Sequence, residues 1–199
     1  LNHAFETKTL SFLSNRSKKN RICFAGSLIP EDQWHIKRID LLEDLADKVD
    51  IEIYSDIKRL NFKNQILSKS YQVRHEISKL VFKIYKNNPR IGFYSKPENL
   101  PSFSYFENSP IKRKLNKPSW GIKMLQNLSD FLITFNMHIS QTGDNACNMR
   151  LFESTGVGCC LLTDHKSDIQ SIFEPDIEVV TYKTPSEAID KAKYLLKNP

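Results

Sequence analysis

Two short stretches of this 199-residue chain combine residue types that handle anions. The first is Gly26-Ser27, followed by His35, Lys37 and Arg38. A Gly turn lets backbone approach a charged group closely, and the basic side chains add positive charge. The second is Gly143-Asp144-Asn145, running into Ala146, Cys147, Asn148, Met149, Arg150 and Glu153. A helix that begins there has first-turn N–H groups without intrahelical partners, a natural anion site. Arg150 and Glu153, three apart, then share one helix face. The carboxylate would repel a phosphate, but it would accept hydrogen bonds from a ribose diol, as acidic residues do in nucleotide-binding sheets. An ordinary surface ion pair, worth under about 1 kcal/mol, fits the same spacing equally well.

Other chemistries lack their signatures. There is no G-x-x-x-x-G-K-[ST] loop, no G-x-S-x-G elbow and no H-E-x-x-H pair. Gly156-Val157-Gly158 has no third Gly and precedes a strand-like run instead of following one, so it reads as a helix stop and turn. Cys23, Cys147, Cys159 and Cys160 form neither a C-x-x-C pair nor a zinc spacing with the five histidines. They read as buried, reduced thiols of a cytosolic protein. Neither a metal nor a resident cofactor is expected.

The elements that must position these residues follow from periodicity. Arg21–Ala25 is a short apolar run, a buried strand entering the Gly26-Ser27 turn. From Glu31 to Lys48 the apolar positions keep helical spacing, with Pro30, Glu31 and Asp32 suiting a helix start. Ile51–Tyr54 alternates as a second strand, which completes a βαβ unit and so a parallel sheet. Val73, Ile77, Leu80, Val81 and Ile84 predict an amphipathic helix over 65–86 with a basic outer face, the apolar face covering one side of the sheet. Residues 87–119, with five prolines among aromatics, read as irregular, with a short strand near 91–95. Helices over Trp120–Leu128 and Cys147–Thr155 flank a buried strand at Asp130–Asn136, and Gly156 takes the C′ place. Strands at Cys159–Asp164 and Ile177–Tyr182 enclose a short helix at Ser167–Phe173. Thr184-Pro185-Ser186-Glu187 caps a last helix through Leu196. The alternation predicts a doubly wound, mostly parallel α/β sheet with helices on both faces. Its ligand belongs beyond the strand carboxyl ends, where strand order reverses.

Composition sets the bounds. With 40% hydrophobic and 26% charged residues the chain is globular, and no apolar run reaches the roughly 20 residues of a membrane span. It opens on Leu1 without an initiator Met, and reads as a piece cut from a longer or processed chain. Charge is uneven: residues 57–120 hold fourteen Lys/Arg against three Glu, a local +11, leaving −5 for the rest of a chain of net charge +6. A block this basic suits phosphates, nucleic acid or an anionic membrane surface, or is a solvated face.

The run Asn148-Met149-Arg150-Leu151-Phe152-Glu153-Ser154-Thr155-Gly156-Val157-Gly158-Cys159-Cys160-Leu161-Leu162-Thr163-Asp164 resembles the R-x-F-E-x-x-x-x-G-x-x-L-L-T/S-D stretch of group 1, CgeB-like glycosyltransferases. Phe173-Glu174-Pro175, Glu178–Tyr182, Pro185-Ser186-Glu187 and Tyr194-Leu195-Leu196 continue that pattern, and Phe24–Ser27 with His35, Arg38 and Leu42 resembles the opening of the same domain. The resemblance implies the C-terminal, donor-binding half of a GT-B glycosyltransferase, with 20–199 the Rossmann-like domain, 57–119 a divergent or inserted segment, and 1–19 a linker from a missing N-terminal domain. It implies that Gly26, Ser27, His35, Arg38, Asn145, Ala146, Asn148, Met149, Arg150 and Glu153 surround a UDP-, GDP- or dTDP-linked sugar. Glu153 would hold the ribose hydroxyls, and the amides of Ala146–Met149 the diphosphate. The family's first Glu of its Glu-x7-Glu element falls at Asn145, a departure. The missing Asp-x-Asp triplet agrees with metal-independent transfer.

A glycan, lipid-linked or protein acceptor would lie on the absent domain, so the catalytic residues are not assigned. The implied setting is cytoplasmic, at the inner face of an anionic membrane, without nucleic acid. A non-catalytic nucleotide- or sugar-phosphate-binding module is the alternative.

Overall fold

The computed structural model describes residues 5–30, 32–57, 62–84, 89–96 and 105–199. Six parallel strands form one sheet: β1 (Lys19–Ala25), β2 (Ile51–Tyr54), β3 (Leu115–Asn116), β4 (Phe131–Asn136), β5 (Cys160–Asp164) and β6 (Val180–Tyr182). Their order is β3-β2-β1-β4-β5-β6, so the winding reverses between β1 and β4. The register sets Ile22 beside Ile51 and Ile133, and Phe135 beside Leu162. This is the doubly wound, Rossmann-like sheet the sequence predicts.

Side chains alternate across the strands and fill two layers. Ile22, Phe24, Ile53 and Phe135 pack under α1 (Ile36–Lys48) and the C-terminal helix Pro185–Lys197. On the other face, Cys23 and Ala25 pack against the helix Gly121–Ser129. In chain order the remaining helices are α2 (Phe62–Phe82), α3 (Pro89–Tyr94), α4 (Pro110–Lys114), α5 (Gly121–Ser129), α6 (Met149–Gly156) and α7 (Pro185–Lys197). The cap of α7 is built as its sequence indicates: Thr184 Oγ1 accepts from Glu187 N at 3.2 Å, with Pro185 in the first turn.

Several expectations are corrected. Residues 91–94 lie in helix α3, with Ser95 in the turn after it, and form no strand; the strand at that edge of the sheet is the two-residue β3. Helix α1 begins at Ile36, behind the turn bonds His35 N to Asp32 O and Asp32 N to Ile29 O; Glu31 lies outside the described residues. Helix α2 packs on α3, and its apolar residues Ile66, Val73, Ile77 and Leu80 face solvent instead of the sheet. The left-handed residue ending α6 is Gly158 (φ 75°); Gly156 is itself helical. A Cβ on Gly156 would overlap the ring of Phe5, which lies against the end of α6. The adjoining segment is held to α5 by paired bonds between Ser14 and Gln126. Cys147 is exposed, whereas Cys23 and Cys159 are buried. Asn2, His3, Ala4, Pro97, Pro101 and Phe103 lie outside the described residues.

Candidate functional site

The site residues converge on the carboxyl ends of β1, β4 and β5. Gly26 continues from β1, its N–H donating to Tyr54 O at 3.1 Å. A Cβ at this position would approach the Phe24 ring to 3.0 Å, a tight contact that glycine avoids. The Ser27 carbonyl then accepts from His35 Nδ1 at 3.1 Å and from Arg38 Nη1 at 3.3 Å. Arg38 reaches on across the strand reversal, its Nε and Nη2 donating to Met137 O at 2.9 and 2.6 Å. Its guanidinium is therefore turned to backbone carbonyls inside the protein and is only 7% exposed. Burial lowers it to about 10, opposed by the nearby Asp164; it remains charged at neutral pH. Burial and the Arg38 charge likewise lower the His35 imidazole.

The second stretch is set by a chain of amides. Asn148 precedes α6, and its Oδ1 accepts from Arg150 N at 2.9 Å, the cap such a residue is suited to make. Asn148 Nδ2 donates to Asn136 Oδ1, and Asn136 Nδ2 to Thr163 Oγ1, both at 2.9 Å. The start of α6 is thus fixed to the ends of β4 and β5. Ala146 N–H donates to the Asp168 carboxylate at 2.7 Å. Among the described residues no acceptor meets the N–H groups of Cys147, Asn148 or Met149. Asn145 is exposed, in a turn closed by its own bonds to Thr142 O.

Arg150 and Glu153 form an ion pair at 2.7 Å, their side chains 14% and 21% exposed. Glu153 is partly exposed and does not lie in the core. Arg150 Nε donates to Ala25 O at 3.1 Å, which seats the guanidinium over the end of β1. Burial lowers its pKa, with Glu153 opposing. Arg150, Gly26, Ser27, Tyr54, Ser55 and Trp120 line a cleft of about 150 Å³. Arg150 therefore comes together with Gly26 and Ser27, and Glu153 joins them through its pair with Arg150, while His35 and Arg38 act from the α1 side of the same loops.

One arrangement escapes a reading of the sequence. The Asp164 Oδ1 accepts from both His138 N (2.9 Å) and His138 Nδ1 (2.7 Å), and Lys166 Nζ lies 3.4 Å from Oδ2. Lys166 also donates to Gly143 O at 2.6 Å, and Ser167 N to Asp144 Oδ1 at 3.2 Å. These bonds stitch the loop before α6 to the loop after β5, beside a second cavity of about 530 Å³. The signal lay in the register: Asn136 pairs with Thr163, so residues just past each strand must meet.

The model of a family described as glycosyl transferase-like matches residues 38–199. The chain belongs to the glycosyl transferase-like family. No curated protein matches it. For this glycosyl transferase-like domain, the matched span includes Arg38, β2 to β6 and the whole of α6, while β1, Gly26, Ser27 and His35 precede it. Among its described residues no helix is long and apolar enough to cross a membrane, and no group of three His, Cys, Asp or Glu side chains is placed to hold a metal ion.

Proposed function

We propose that this chain is the donor-binding half of a glycosyltransferase of the CgeB-like group, and that it binds a nucleotide-diphosphate sugar at the start of α6. The observation that carries the reading is the conjunction at the carboxyl end of the sheet of three features: the strand reversal, the uncommitted amides of Cys147, Asn148 and Met149, and the Arg150–Glu153 pair, whose Arg150 lines a cleft. The amides and the positive end of α6 suit a diphosphate. Arg150 keeps its Nη2 without an acceptor among the described residues and adds a charged donor. Glu153, freed from Arg150 as the phosphate takes its place, accepts from the ribose hydroxyls.

In transfer, negative charge grows on the departing nucleoside diphosphate. Preorganised N–H groups, helix dipole and Arg150 stabilise that charge without a metal ion, which is electrostatic catalysis of the leaving group. Arg38 and His35 hold the loop carrying Ser27 in place from behind. The acceptor, whether glycan, lipid-linked or protein, is bound by another domain, so this chain alone binds donor and transfers nothing.

A panel of UDP-, GDP- and dTDP-sugars tests the reading by thermal stabilisation, since a ligand that binds only the folded state raises Tm. One nucleotide class is expected to raise Tm, and Glu153→Gln to abolish the rise. A panel that leaves Tm unmoved at millimolar concentration would sink the proposal. Asn145, standing where the family has a carboxylate, favours a second reading. In it the same site holds a nucleotide or sugar phosphate for regulation or assembly, and free nucleotide stabilises as well as the sugar-linked form.

A further inference from the structure

Helix α2 is turned opposite to a helix that closes a sheet. Ile66, Val73, Ile77 and Leu80 on the helix, and Ile84 just past its end, recur at helical spacing along one stripe, each 54–76% exposed. On the opposite side His75 and Ser78 are buried. Phe82, also on that side, meets α3 at Gly92, where a Cβ would come within 3.1 Å of the ring. The polar side of α2 is therefore its seat and the apolar side its outer surface. Single exposed aliphatics are ordinary, but an aliphatic row about 27 Å long marks an interaction surface.

The charges beside this row are nearly all of one sign. Lys69, Arg74, Lys79 and Lys83 share the segment with a single acid, Glu76, which is paired with Lys79 at 3.2 Å. The surrounding block of residues 57–120 carries +11 in a chain whose remainder carries −5. A second copy seated on the row would bring one +11 block against another. An anionic bilayer surface complements both features: the aliphatic side chains enter the acyl boundary, and the lysine stems extend their ammonium groups to the lipid phosphates.

We propose that α2 docks this chain on an anionic membrane surface, lying in the plane of the interface with the Ile66–Ile84 row inward. This surface is separate from the donor site, and its test uses no nucleotide.

Co-sedimentation of the 199-residue chain with liposomes decides the matter. Binding to phosphatidylcholine vesicles containing phosphatidylglycerol is expected to exceed binding to pure phosphatidylcholine by at least about tenfold, and to fall as salt rises. Ile77→Ser with Leu80→Ser is expected to lower that binding about tenfold or more, with an unchanged melting curve because both side chains are exposed. Lys79→Gln with Lys83→Gln is expected to weaken it roughly tenfold as well. Equal pelleting on neutral and anionic vesicles, or undiminished binding by the serine variant, would overturn the proposal. So would a dimer in sedimentation velocity that the serine variant dissolves, which would assign the row to a second copy, or a row that binds only a soluble protein.

Discussion

The guanidinium of Arg38 and the carbonyl of Met137 meet across the reversal of strand order, two N–H groups on one oxygen at 2.9 and 2.6 Å. With the third bond to Ser27 O, a single side chain joins the loop after β1 to the loop after β4. The fork thus holds the two loops to each other and to α1.

Replacing Arg38 with Ala takes both donors from the Met137 carbonyl and leaves Ser27 O with His35 Nδ1 alone. Unfolding by urea is expected to show a loss of about 2–4 kcal/mol. Arg38→Lys should recover little, since one ammonium cannot reproduce a planar fork that reaches two carbonyls. A lysine variant as stable as the parent would contradict this account.

Gly156 and Phe5 are expected to be coupled. Gly156→Ala pushes a methyl group into the Phe5 ring and should cost about 1–3 kcal/mol. Phe5→Ala removes the obstacle, so the same glycine change made on that background should cost much less. A double-mutant cycle read by thermal unfolding gives the coupling directly.

Acid should weaken the fold in two stages. Burial and Arg38 depress the His35 imidazole, so the unfolded chain takes up that proton first; its stability is fully present above pH about 6.5 and is lost as pH falls through the folded value. Burial alone would raise the Asp164 carboxyl, but the His138 hydrogen bonds and the Lys166 charge outweigh it and hold it low. Its contribution is present above pH about 4 and disappears on further acidification. Tm measured against pH should therefore fall in both windows, with the lower step missing from Asp164→Asn.

Glu153→Gln separates donor binding from stability. The pair with Arg150 is partly exposed, so the variant should lose less than about 1 kcal/mol. Its Tm rise with nucleotide sugar should vanish. A variant that keeps the rise would exclude Glu153 from ribose recognition.

Most of the sheet was legible because β1, β2, β4 and β5 are apolar runs bounded by turn residues, and because the α7 cap follows local rules. The edge near β3 was not. Phe93-Tyr94 has strand-like composition, yet Gly92 takes its place from the Phe82 ring of α2, a contact distant in sequence. Periodicity found α2 but could not say which side of it would be covered. At the site, residue types placed Arg150 and Glu153 on one face, and they are paired there. The same reading assigned Arg38 a charge to offer a ligand; its donors go to carbonyls, which carry no residue identity and leave no mark on the sequence.

The run of amides beneath α6 has a sense of direction. Asn148 gives a hydrogen to Asn136, Asn136 gives one to Thr163, and the Thr163 hydroxyl faces Asp164 at 3.4 Å, a group that when ionised can only receive. Reversing the Asn148 amide would set like poles together at both of its contacts, with Arg150 N and with the Asn136 amide. The Arg150 N–H fixes the first amide of the row, and each partner down to the Thr163 hydroxyl takes its sense from that cap.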